Sequence, residues 1–139
     1  MFTRRASILI LYNQDKEILL QHRTKDAPYL PNFWGFFGGG IEKDETPEEA
    51  VIREIKEELS LDIKAPFFFN SYEIKEGENK YERFIYLLPT TLTAKQLRPY
   101  QNEGDNLRFF TYKKTEKIKF NPFNKIILKE VFNFLNTLS

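Results

Sequence analysis

Four of the six glycines in this chain of 139 residues fall between positions 35 and 40, and Gly38, Gly39 and Gly40 follow directly on the apolar run at residues 34–37. Backbone at such a run must bend tightly or approach something closely, because a missing Cβ serves either purpose. A few residues later Thr46 supplies an N-cap, Pro47 the first helical position, and Glu48 and Glu49 an acidic first turn. The pattern predicts a short buried strand, a glycine turn, and a helix running to about Leu59.

The remaining segments fit the same kind of domain. Residues 6–12 and 17–22 are apolar runs separated by turn residues and read as a hairpin. Residues 67–74 and 81–88 read as a second strand pair joined by a polar turn, and residues 107–112 as a further strand. Residues 122–138 read as a closing amphipathic helix with Ile126, Ile127, Val131, Phe134, Leu135 and Leu138 inward. Strands mixed with helices imply an α/β or α+β class. The length suits one domain over residues 1–139, and the 14 Phe and 7 Tyr read as core-forming strand residues. The triplet Phe67, Phe68 and Phe69 is either core or a dimer contact, so a homodimer is one of two readings.

Composition excludes several functions. No apolar run reaches the roughly 18 residues that a spanning helix needs, so no membrane role is expected. Zero Cys removes disulfides, thiolate metal sites and cysteine nucleophiles, and the N-terminus lacks a signal-peptide core; a cytoplasmic location is expected. The formal charge of +1 hides a segregation. Residues 42–62 hold nine acids against three bases, a local charge of −6, while residues 108–139 hold seven bases against two acids, a local charge of +5.

On the helix predicted from Pro47, Val51, Ile52, Ile55 and Leu59 form the core-facing stripe. Glu54, Glu57 and Glu58 share an arc on nearly the opposite side, spaced i, i+3, i+4. Only Arg53 and Lys56 flank that arc. A solvated surface is the ordinary reading of such a face, but a hard divalent cation such as Mg²⁺, with Mn²⁺ as the alternative, also neutralises it and keeps waters for a phosphate to replace. Carbonyls of the glycine turn can join the carboxylates as ligands, and backbone N–H groups there, Gly39 and Gly40 included, can face phosphate.

From Gly39 the chain runs through five residues to Glu45, then seven residues to Arg53-Glu54-Ile55-Lys56-Glu57-Glu58-Leu59-Ser60-Leu61. This resembles the Nudix box, G-x5-E-x7-R-E-U-x-E-E-x-G-U, with Ser60 in place of one glycine. Six specified matches arise by chance on the order of 10⁻⁷ times per start position. The resemblance implies a MutT-like Nudix hydrolase, an α/β/α sandwich around a mixed sheet. Its expected reaction is attack of water at phosphorus in a nucleoside diphosphate linked to another moiety. It implies Glu54, Glu57, Glu58 and the Gly38 carbonyl as metal ligands, Glu54 also as a candidate base, and Arg53 as an orienting residue for Glu45. It further implies an acid from a later loop, Glu103 or its competitor Glu82, and a phosphate-contacting Arg23.

Asn121 and Asn124, around Pro122, either cap the final helix or read a purine edge as in some base-reading relatives. Trp34 and Phe36 either stack on a base or pack in the core, and the single histidine, His22, reads as structural. The glycines are neither a P-loop nor a dinucleotide fingerprint. The cysteine of isopentenyl diphosphate isomerases is missing, and Gly77, Glu78 and Asn79 stand where relatives acting on ADP-ribose or dinucleoside polyphosphates carry a proline or tyrosine. A small nucleotide, foremost a nucleoside triphosphate, oxidised forms included, is the expected substrate. Nucleotide sugars, dinucleoside polyphosphates, RNA 5′ ends, and a catalytically silent ligand-sensing module are the rivals.

Overall fold

The computed structural model describes residues 1–138. The strands are β1 (Arg4–Tyr12), β2 (Ile18–His22), β3 (Trp34–Gly35), β4 (Phe37–Gly40), β5 (Phe67–Glu76), β6 (Asn79–Pro89) and β7 (Asn106–Phe110). The helices are α1 (Pro47–Leu59), the single turns α2 (Ala94–Leu97) and α3 (Tyr112–Thr115), and α4 (Lys125–Leu135). All seven strands join one mixed sheet, in the order β3-β2-β1-β6-β5, with β4 on β1 and β7 on β2.

β1 is the hub of this sheet. It pairs parallel with β6 over nine residue pairs and antiparallel with β4 over four. Its unbroken apolar run is buried on both faces, as strands sandwiched between helices require. Ile8 and Ile10 pack with Ile127, Val131 and Leu135 of α4, while Leu9 and Leu11 pack with Val51, Ile55 and Leu59 of α1. The α/β/α sandwich expected from the sequence is therefore the observed fold.

Several expectations are corrected. The strand at residues 34–37 is two strands split at Phe36, because the chain there leaves the flank of β2 for the flank of β1. The glycines form no turn: Gly38, Gly39 and Gly40 are β4 itself, opposite Ile8, Ser7 and Ala6. Aromatic residues are not uniformly core. Phe67 and Phe68 are about half exposed on the edge strand β5, Phe67 stacking on Phe134. On α4, Ile126 points outward while Leu128 and Phe132 are buried, and the helix proper starts only after a single 3-10 turn at Pro122–Asn124. Tyr112 opens α3 instead of ending a strand.

α1 begins and ends by sequence-encoded devices. Thr46 Oγ1 accepts from Glu49 N at 3.1 Å and Thr46 N donates to Glu49 Oε1 at 2.9 Å, a complete capping box. Ser7 Oγ, buried in β1, donates to Pro47 O at 2.7 Å and pins the start of the helix to the sheet. At the other end Ser60 takes the left-handed conformation, φ 57°, where glycine stands in the Nudix box. A Cβ in that conformation costs about 1–2 kcal/mol, partly offset by the greater unfolded-state freedom of glycine. Ser60→Gly is therefore expected to stabilise the protein by about 0.5–1 kcal/mol, read as a rise in thermal midpoint of a few degrees.

Candidate active site

The site is built where α1 lies along β4. Gly39 has no room for a side chain, because a Cβ there would stand 2.5 Å from the carboxyl carbon of Glu54. Gly38 N donates to Glu58 Oε1 at 2.8 Å. The acidic face of α1 is thus turned against the glycine strand and not toward open solvent. Glu58 is 3% exposed, and its Oε2 is buried with no hydrogen-bond partner.

Arg53 organises the acids around it. Its guanidinium grips Glu45 with two bonds, Nε to Oε2 at 2.7 Å and Nη2 to Oε1 at 2.9 Å, and donates to Gly40 O at 3.0 Å. Its third nitrogen reaches Glu54 Oε1 at 3.0 Å and Glu57 Oε1 at 3.4 Å. Such a fork fixes carboxylates in one plane, which lysine cannot do. The same bonds, with a backbone N–H from Glu42, hold the Glu45 carboxyl down at about 2. Lys56, the other flanking cation, is turned away to Asp62 at 3.2 Å.

Glu103 arrives from the loop before β7. That loop is fastened to the last turn of α1: Asn102 N donates to Glu58 O at 2.8 Å and Asn102 Nδ2 to Glu57 O at 2.9 Å. Gln21, buried in β2, donates to Phe36 O at 3.0 Å and to Glu103 Oε1 at 3.2 Å. Gln21 had no place among the expected site residues; an amide directly after the apolar run of residues 18–20 was its only signal. Burial first, then the neighbouring carboxylates of Glu103 and Glu54, push the Glu58 carboxyl up to about 10, against the opposing Gly38 N–H. Burial also raises Glu54, beyond what Arg53 lowers it.

These features suit a divalent cation. A buried carboxylate oxygen without a partner, three crowded carboxyl groups and a single engaged guanidinium make up an oxygen-rich site short of positive charge. Among the described residues, no three acidic or histidine side chains yet converge on one point. Glu54 and Glu57 turn toward Arg53, and Glu58 toward Gly38.

Beside β4 opens a cavity of about 560 Å³, walled by Trp34, Phe36, Tyr29 and Tyr81 and reaching Gly38 and Gly39. Arg23, Asn121 and Asn124 also line it. Arg23 Nε donates to Tyr29 O at 2.7 Å. Asn121 Oδ1 accepts from Phe123 N at 3.0 Å and so caps the 3-10 turn at Pro122–Asn124, not α4, whereas Asn124, at the N-cap of α4, makes no cap bond and its Oδ1 is buried and unpartnered. Glu82 stands at the cavity, but Arg5 holds its carboxylate at 2.7 Å, and it takes no part in the Glu54, Glu58 and Glu103 cluster. His22 sits edge-on to Trp34 with Nδ1 2.7 Å from Asp105 Oδ1, a tie between β2 and the Glu103 loop.

Comparisons with known proteins identify the family. The family model described as the NUDIX domain matches residues 1–131, so the chain belongs to the NUDIX domain family, whose hydrolases act on phosphoanhydride bonds and generally use divalent metal ions. The 8-oxo-dGTP diphosphatase of Escherichia coli is 36% identical over 95 residues, covering 68% of this chain and 70% of that protein. An RNA pyrophosphohydrolase from Nitratiruptor is 29% identical over 139 residues, covering 94% and 80%. The crystal structure of a MutT protein from Methanosarcina mazei Go1 shares the fold with a TM-score of 0.78, at 17% identity, covering 97% and 96% of the two chains. Among the described residues no helix is long and apolar enough to cross a membrane.

Proposed function

We propose that residues 1–139 act as one Mg²⁺-dependent Nudix domain that cleaves a nucleoside triphosphate, oxidised forms included, into monophosphate and pyrophosphate. The observation that carries this reading is the junction at Gly38 and Gly39. On one side of these glycines lie the carboxyl groups of Glu54 and Glu58, and on the other the aromatic cavity, large enough for a nucleoside.

In this reading Glu54, Glu57, Glu58, Glu103 and the Gly38 carbonyl hold the cation, which when bound polarises phosphate oxygens and acidifies water. Arg53 keeps Glu54 and Glu57 aimed while Glu45 anchors Arg53 itself. Glu54, raised by burial from its ordinary value, is suited to accept the proton of the attacking water. Arg23 and the backbone N–H groups of Gly39 and Gly40 take up phosphate charge. Trp34 or Phe36 offers a ring for the base to stack on, and the open amide of Asn124 pairs with its edge.

A panel of nucleoside triphosphates, 8-oxo-dGTP, nucleotide sugars, dinucleoside polyphosphates and 5′-triphosphorylated RNA, assayed for pyrophosphate or phosphate release, tests this reading. Mg²⁺-dependent release of pyrophosphate from a triphosphate is the expected result. Activity that persists in excess chelator, or that is confined to nucleotide sugars, sinks it. RNA 5′ ends are the second reading, favoured by the 94% coverage of this chain in the match to the RNA pyrophosphohydrolase.

A further inference from the structure

The parallel pairing of β1 and β6 sets Arg4 opposite Tyr81 and Ala6 opposite Arg83. Strand residues two apart share a face, so Arg4 and Arg83 both stand on the cavity wall beside Ala6 and Ile8. Neither arginine makes an ion pair among the described residues. Arg83 is the more telling of the two. Its guanidinium packs 5.3 Å from the centre of the Tyr81 ring, and its Nη1 is buried without an acceptor. Burial, with Arg4 close by, presses Arg83 toward its neutral form, against the opposing influence of Tyr29, Tyr81 and Glu76. Glu82, the neighbouring acid on β6, faces the other side of the sheet and is already engaged by Arg5.

A buried guanidinium nitrogen lacking an acceptor is costly, and a second guanidinium on the same wall makes it more so. Folding alone gives no reason to keep this pair. A neutral base edge offers two acceptors to one arginine and leaves the other uncompensated, whereas an anionic oxygen group answers both and cancels their repulsion. Resting on the hydrolase reading for the position of the reacting phosphates, we infer that Arg4 and Arg83 form a second anion subsite in the cavity, which selects substrates carrying an additional phosphoryl group on the nucleoside half. That group comes either from a mononucleotide phosphorylated at its 2′ or 3′ position or from the first phosphodiester of an oligonucleotide.

Trp34 is the only tryptophan and lines the cavity, so its fluorescence reports occupancy without turnover. Metal-free protein is titrated with nucleoside 5′-monophosphates of the four common bases, with the matching 2′,5′- and 3′,5′-bisphosphates, and with 5′-phosphorylated dinucleotides. For at least one base, a bisphosphate or a dinucleotide binds about ten- to a hundredfold more tightly than the monophosphate, and in Arg83→Gln this advantage falls below about threefold. A dinucleotide binding at least as tightly as the bisphosphate assigns the site to an RNA end; a tenfold weaker one assigns it to a mononucleotide. Equal affinity for all three ligands, no binding of any of them, or an advantage that survives in Arg83→Gln overturns the inference. Arg4→Gln, at an exposed position, carries the same test should Arg83→Gln fail to fold. Because the titration uses neither metal nor catalysis, a protein that keeps the preference yet hydrolyses no triphosphate refutes the hydrolase reading alone.

Discussion

Glu58→Gln is expected to lower Mg²⁺-dependent turnover about a thousandfold, because several kcal/mol of transition-state stabilisation depend on a charged oxygen at that position. The same substitution is expected to make the metal-free protein more stable. Glutamine keeps an oxygen for Gly38 N and offers Glu103 a donor at every pH, without the proton uptake that the buried carboxyl requires. The sign of the pH effect follows from the raised carboxyl. With the unfolded group near its ordinary value of 4.5 and the folded one near 10, the folded state holds the extra proton between these values. Stability of the metal-free wild type is therefore highest below about pH 4.5 on this account and declines as pH rises toward 10. Thermal midpoints of wild type and variant should diverge from pH 6 to pH 9, the variant lying higher, and added Mg²⁺ should raise only the wild type. Undiminished turnover in the variant, or parallel melting curves, would contradict the assignment of Glu58.

Gly38→Ala is expected to cost most of the protein's stability. The new Cβ would stand 2.2 Å from Ser7 O and 2.8 Å from Ile8 Cα, both backbone atoms of the central strand, at φ 139°. Neither neighbour can rotate away. Backbone strain of about 1–3 kcal/mol and a steric cost of similar size sum to much of the 5–15 kcal/mol that holds a domain together. Circular dichroism should show the midpoint lowered by more than ten degrees, or no soluble protein. Gly35→Ala is the matched control: a Cβ there meets nothing within 4 Å, and its effect should stay within about 0.5 kcal/mol. Similar melting of the two variants would show that close approach is not what the glycine run provides.

That result bears on how the sequence could be read. Glycines grouped behind an apolar run allow either a turn or a close approach, and sequence alone does not separate the two. The structure chooses close approach twice, Gly38 against β1 and Gly39 against Glu54. α1 was legible to the residue because each signal was local: Thr46 and Glu49 form the capping box, Pro47 starts the turn, and Val51, Ile55 and Leu59 share one face. The pairing of Arg53 with Glu45 was legible through the box spacing, but its further bonds to Gly40, Glu54 and Glu57 depend on where β4 lies. Gln21 and Asn102 were not legible, since both matter through partners some 45 or more positions distant. For Phe67 and Phe68 the sequence left core and contact surface open for a similar reason: a strand's aromatic content does not reveal that it lies at the sheet edge.

The two bonds from Asn102 to the last turn of α1 have a consequence for how this architecture can diverge. They splice the loop bearing Glu103 to the helix bearing the other acids, so both halves of the site ride on one rigid body. The stretch from Pro89 to Tyr100 is bound into the same body, with Leu97 buried against Val51, Ile55 and Leu59 of α1 and Arg98 donating to Asp105 O at 2.6 Å. Divergence that keeps the chemistry in register must therefore spare this stretch and work elsewhere on the surface.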